Sequence, residues 1–440
     1  MMKRKDITAL GFMIFALFFG AGNLIFPPSL GAMAGYEFVP AMSGFILTGV
    51  GLPFLGLMAI AWADGGISKL VSPLPKKIAF VLTFLLYVAI GPFFGIPRTA
   101  VVTYELGISP FMADSTASLF VSSLIFFGLT LYLVMRPGKL LDVIGRFITP
   151  LLLIALSILS ISSIVNPLSA VSSPQAGYTD ATGAFFEGFL QGYLTLDALG
   201  ALVFGAIILQ TIRAKAVTQS KDRLRILLQA GGIAAIALAL VYTGLGYLGA
   251  SSYRAAGSLD GAALLKHFAE NTFGMTGIIL LGLAILLACL TTSVGLVSAF
   301  AEYAATAFPR LSLRTTRITT VALGLIISIA GLETLIAVAL PTLLFLYPVV
   351  IGLIFLSFLK PWLRGPEAVY RWTLGTISMF SLFGAVDNLG YLPEMFETAF
   401  ASLPLAKESM AWLLPATIVF GISSGIGHYS EVENEEKRAG

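Results

Sequence analysis

Apolar runs long enough to cross a lipid bilayer recur along the whole chain, separated by short polar loops. A helix needs about 20 predominantly apolar residues to span the hydrocarbon core, so each run predicts a transmembrane helix. The runs fall at 7–33, 38–62, 78–102, 117–135, 140–165, 185–212, 224–248, 275–300, 318–332, 335–359, 369–386 and 410–426. The expected fold class is therefore an all-α integral membrane protein of about 12 spans. The ninth run is short, and 257–272 reads as an amphipathic surface helix that mimics another span. The first run is too long for a signal-peptide core and is followed by no small-residue cleavage site, so it is expected to stay in place. Only 11% of the 440 residues are charged, against about a quarter in soluble domains. A soluble enzyme carrying a membrane anchor does not fit that deficit.

The 26 Lys and Arg residues give the orientation, because cytoplasmic loops hold an excess of them. Alternate loops collect Lys3 to Lys5, then Lys69, Lys76 and Lys77, then Arg136, Lys139 and Arg146, then the five between Arg213 and Arg225. The same side takes Arg310, Arg314 and Arg317, then Lys360, Arg364 and Arg371, and finally Lys437 and Arg438. The opposite side holds only Arg254, Lys266 and Lys407, and Arg98 falls inside a span. This asymmetry places both termini in the cytoplasm. The single cysteine, Cys289, excludes an internal disulfide, and His267 and His428 are too far apart in sequence to suggest a histidine metal centre.

Interruptions of the spans locate a candidate site, because a broken backbone in the membrane must line a cavity or bind something polar. The first span carries Gly20-Ala21-Gly22-Asn23 at mid-depth and Pro27-Pro28 a turn later. Such residues weaken the helix and let a ligand approach the main chain, although they also suit a small-residue packing patch. The sixth span contains Gly188, Gly192, Tyr193, Thr195 and Asp197. An intramembrane carboxylate costs several kcal/mol unless it is paired, neutralised or coordinating, so Asp197 is a functional candidate. The alternative is a protonated acid bonded to a neighbouring helix. Breaks five spans apart suggest a five-plus-five inverted repeat, 7–165 and 185–359, with 369–426 as two additional helices. Broken ends offer amides to a carboxylate and carbonyls to a cation.

The eighth span holds Cys289-Leu290-Thr291-Thr292-Ser293. The hydroxyls of Thr292 and Ser293, with the Cys289 carbonyl, offer three oxygens to a hard cation such as sodium, although such hydroxyls often bond their own helix. The third span holds Gly91-Pro92 and Pro97-Arg98-Thr99. Its prolines bend or break the helix. Arg98 is expected to line a pathway or to pair with an acid such as Asp197 or Glu105, the alternative being that it snorkels toward the interface.

The segments Phe18-Phe19-Gly20-Ala21-Gly22-Asn23-Leu24-Ile25-Phe26-Pro27-Pro28, Gly91-Pro92 with Pro97-Arg98-Thr99-Ala100, and Gly192-Tyr193-Leu194-Thr195-Leu196-Asp197 resemble the branched-chain amino acid:cation symporter family. The resemblance runs over essentially the whole chain. It implies a bacterial inner-membrane carrier that takes up leucine, isoleucine and valine with sodium, or in some members protons, and a leucine-transporter-type fold with broken helices 1 and 6. It further implies that Ala21 and Gly22 offer amides to the substrate carboxylate, that the Phe18 carbonyl meets the ammonium, and that Tyr193 covers the substrate from outside. Asn23 and Thr195 resemble ligands of a substrate-linked cation site. Ala16 and Phe19 carbonyls with Cys289, Thr292 and Ser293 resemble a second cation site. Asp197 departs from the better-known group, where an uncharged residue is usual, and is a candidate to bind sodium, a proton or the substrate amine.

No Gly-rich phosphate loop, no His-Glu-x-x-His pair and no cytoplasmic loop large enough for a nucleotide domain occurs, so neither an enzyme nor an ATP-driven pump is expected. The competing readings are a proton-coupled carrier of another small apolar amino acid, a passive channel, and a sensor that binds without transport. The expected partners are the amino acid, the coupling ion and the bilayer, with no nucleic acid and no cofactor beyond that ion.

Overall fold

The computed structural model describes residues 2–112, 115–136, 149–215, 217 and 219–425. Helix makes up 83% of it, and no strand occurs among the described residues. Residues 140–148 of the expected fifth span, residue 426 of the twelfth, and Lys139, Arg146, His428, Lys437 and Arg438 lie outside the described residues. Among the described residues, seven helices are long and apolar enough to cross a bilayer, and Thr149–Val165 and Leu413–Gly425 are shorter apolar ones. Their outer faces carry Ile125, Ile158, Ile161, Ile236, Leu240 and Leu280, each at least half exposed in the isolated chain. Such a belt has no place in water and is what lipid requires.

The first span is two helices, Arg4–Phe18 and Ala21–Ala34. The sixth is Ala181–Gln191, a tight turn Gly192–Thr195, then Asp197–Ala214. The first lies along the seventh, Ser220–Ala250, and the sixth lies along the second, Phe38–Ile46 continuing as Leu52–Ala63. A shift of five spans exchanges these two pairings, as an inverted repeat requires. Glycine permits both, since lipid supplies no hydrophobic drive between helices and close packing must substitute. A Cβ at Gly31 would overlap the Gly246 carbonyl, and one at Gly188 the Ala41 carbonyl. Gly188 is therefore a packing residue, and the sixth-span break falls later, at Gly192 to Leu196.

The third span breaks at Gly91, whose backbone leaves the helical region (φ −82°, ψ −114°), before a second helix Gly95–Gly107. Pro97 lies in the first turn of that second helix, where no helical donor is needed, so only the first proline marks a break. The expected surface helix runs from Gly261 and meets the eighth span at Gly274, where φ is +60°. On the basic side, Asp64 accepts from Arg213 (2.9 Å) and Arg223 (2.5 Å) and from the Ser220 hydroxyl (2.8 Å), tying the loop after the second span to the sixth and seventh. Burial acts to raise the Asp64 pKa, but the bonds from Ser220, Arg213 and Arg223 outweigh it and hold the carboxyl below its ordinary value.

Candidate substrate and ion site

Both breaks release backbone groups toward the same point. The last bond of the first inner helix runs from the Phe19 amide to the Phe15 carbonyl (2.7 Å), after which Gly20 is extended (φ −126°, ψ −161°). The Gly20 amide donates to Asn23 Oδ1 (3.2 Å) instead of continuing the helix to Ala16. In the sixth span, Leu196 takes a left-handed conformation (φ 66°) that a leucine rarely adopts, and Asp197 opens the inner helix.

These ends enclose a cavity of about 30 Å³ whose walls include Phe18, Gly20, Ala21, Asn23, Thr195, Asp197 and Thr292. Apolar Leu17, Ile90, Phe204 and Leu296 also line it, as do Arg98 and Thr99 of the third span. Small-molecule sites usually occupy about 300–1,000 Å³, so a whole amino acid enters only as the lining helices move apart. A larger cavity of about 590 Å³ opens on the basic side between the same third, sixth and eighth spans. Tyr87, Val203 and Ala299 line the large cavity, and Ile90, Phe204 and Leu296 the small one. Three residues on the third and eighth spans, and adjacent residues on the sixth, therefore separate the two.

Asn23 has its orientation fixed by the Gly20 N–H, which needs an acceptor and so selects the amide oxygen. The amide nitrogen consequently faces Asp197, donating to Oδ2 (2.6 Å), and also bonds the Tyr242 hydroxyl. Tyr242 in turn donates to Asp197 Oδ2 (2.8 Å). All three side chains are buried. Two donors on one carboxylate oxygen hold Asp197 Oδ2 as an acceptor. Tyr242, in the seventh span, was not among the sequence candidates. Its only signal is a phenol in the middle of an aliphatic run.

The cation ligands expected of the substrate-linked site are used otherwise. Asn23 turns its oxygen to Gly20, and the Thr195 hydroxyl donates to the Gly192 carbonyl (2.8 Å) and accepts from the Asp197 amide (3.3 Å). Arg98 likewise departs from the expected acid pairing. Its Nη1 donates to the Leu194 carbonyl (2.5 Å) and its Nη2 to the Thr195 carbonyl (3.3 Å). At the second expected cation site the Thr292 hydroxyl donates to the Phe19 carbonyl (3.3 Å), across the break from the Ala16 carbonyl that the Gly20 amide has left. Ser293 turns its hydroxyl to Thr130 of the fourth span (3.4 Å), and Cys289 packs its thiol toward Thr103. Tyr193 stacks on Tyr347 at 4.2 Å and lies outside the cavity wall.

The family described as branched-chain amino acid transport protein matches residues 3–429. The chain belongs to this family. Among its relatives, the branched-chain amino acid transport system 2 carrier protein of Pseudomonas aeruginosa is 43% identical over 425 residues, 95% of each chain. The branched-chain amino acid permease BrnQ of Escherichia coli is 40% identical over 421 residues, covering 95% of this chain and 94% of its own. A family of transporters, and not of enzymes, is thus shown. Two solved structures share the fold at low identity. Mhp1, a nucleobase-cation-symport-1 family transporter, superposes with TM-score 0.54 at 15% identity, over 96% of this chain and 93% of its own. MhsT, in complex with L-phenylalanine, gives 0.52 at 16%, over 94% and 97%. The family member described here therefore has the leucine-transporter-type fold that its two broken helices predict.

Proposed function

We propose that the chain is a secondary active carrier that takes up leucine, isoleucine and valine, driven by a sodium gradient. The observation that carries this reading is the cavity at the two breaks. Its walls combine the backbone of the broken first helix at Phe18, Gly20 and Ala21, assigned to the substrate carboxylate and ammonium, the carboxylate of Asp197, and apolar side chains for a branched side chain, with Gly22 assigned to the carboxylate from beside it. The names of the relatives point to the same substrates.

Sodium is favoured by the Thr292 hydroxyl and Phe19 carbonyl, two oxygens joined by a long hydrogen bond beside the broken first helix that an ion would replace. Proton coupling is the second reading, supported by Asp197, a carboxylate buried in a span and bonded to Tyr242 and Asn23. The proposed setting is a bacterial inner membrane with both termini cytoplasmic, supported by the Lys and Arg asymmetry. The repeats are assigned to 7–165 and 185–359, with 369–426 appended.

Labelled leucine uptake into proteoliposomes, with sodium, lithium and proton gradients imposed one at a time, tests the reading. Uptake driven by sodium alone supports it, and uptake driven only by protons transfers coupling to Asp197. Competition by lysine, arginine or glutamate would contradict the apolar substrate class.

A further inference from the structure

The coupled-carrier reading leaves unused the most unusual group in the membrane interior, Arg98. It is 6% exposed. A lone guanidinium at this depth is costly, so its bonds disclose its purpose. Both go to backbone carbonyls at the sixth-span break, Leu194 and Thr195. Those carbonyls end the outer half of the sixth helix, where the partial charge is negative and the helical donors have been lost. A mobile metal cation would satisfy carbonyls so placed, and here a guanidinium does.

We propose that Arg98 is a tethered cation built into the substrate site, so that the carrier moves one mobile coupling cation per amino acid and not two.

Three further observations support the assignment. The slot is shaped for a planar group: the guanidinium lies over the Phe26 ring at 5.3 Å, and a Cβ at Gly22 would sit 2.6 Å from Nη2. Gly22 is thus needed as glycine for this approach. Next, the side-chain oxygens of Asn23 and Thr195, which a mobile ion there would require, are already bonded to Gly20, Gly192 and Asp197. Last, the charges balance. Arg98 and Asp197 both line the cavity and are near enough to interact electrostatically, and a zwitterionic substrate adds no net charge. A metal ion placed beside the guanidinium would leave unbalanced positive charge in a medium of low dielectric. A mobile cation fits more easily at Phe19 and Thr292, where it would replace a single long hydrogen bond between the two (3.3 Å).

The proposal rests on the coupled-carrier reading, and one assay separates the two. In proteoliposomes holding the wild-type chain, the membrane potential that just halts leucine flux against known leucine and cation gradients gives the charge moved per leucine. One positive charge is expected. Two would overturn the proposal while leaving the carrier reading intact, and no gradient-driven flux at all would overturn the carrier reading itself. Arg98→Ala is expected to slow uptake about tenfold or more, the loss typical of a hydrogen bond to a charged group, and to recover with millimolar guanidinium chloride but not with choline chloride. Arg98→Lys, which keeps the charge without the fork, should fall between. Wild-type rates in Arg98→Ala without guanidinium would overturn the proposal, as would a folded Arg98→Ala protein that guanidinium leaves inactive. Should Arg98→Ala fail to fold, the wild-type charge measurement decides.

Discussion

Asp197 is held by Tyr242 and Asn23 as a bond acceptor, and each of these comes from a different span. Asp197→Asn keeps the shape, removes the charge and brings an amide N–H₂ against two donors. Gradient-driven leucine uptake should be abolished while substrate exchange partly survives, read in the same vesicles with and without an imposed gradient. Near-normal gradient-driven uptake would make Asp197 a structural acid. Thr292 contributes an oxygen to a hard cation if sodium couples, and Thr292→Ala removes it. The sodium concentration for half-maximal uptake should rise about tenfold, the cost of one charge-assisted contact. The double Thr292→Ala, Ser293→Ala variant should add little, since Ser293 faces Thr130. An unchanged sodium dependence would remove the eighth span from the site.

At the scale of elements, the breaks in the first and third spans were legible because glycine and proline act locally on the helix that contains them. The exact residue of the sixth-span break was not legible, because Gly188, which closely approaches Ala41, cannot be told in sequence from a glycine that weakens the helix. Arg98 and Tyr242 acquire their partners across 96 and 45 residues, and no local pattern encodes such a pairing. The Asp64 clamp is another long-range feature, and it makes a pH prediction. Its carboxyl is held below 3.8 in the folded chain, so the clamp stabilises at all pH values above the unfolded value and is lost as pH falls through the lowered one. Asp64→Asn leaves the buried Arg223 without its carboxylate and should cost about 1–3 kcal/mol at neutral pH. In melting curves of the detergent-solubilised chain, the gap to wild type should persist at pH 5 and close only below about pH 4. A gap that is already closed at pH 5 would show that Asp64 is not held ionised by the two arginines.

Across the whole molecule, each broken helix lies along an unbroken partner, with its cut ends at the small central cavity. A large vestibule lies beside it on the basic side. Opening the layer formed by Ile90, Phe204 and Leu296 would connect the two cavities, and closing it would isolate the site again. A pore needs both barriers open together, whereas a carrier alternates them, and only alternation can use an ion gradient to move an amino acid uphill. The most direct measurement is the steady-state ratio of internal to external labelled leucine in proteoliposomes under an inward sodium gradient with no leucine gradient imposed. The account predicts accumulation above the external concentration that collapses when an ionophore dissipates the gradient. Leucine that only equilibrates across the membrane, whatever the sodium gradient, would contradict it.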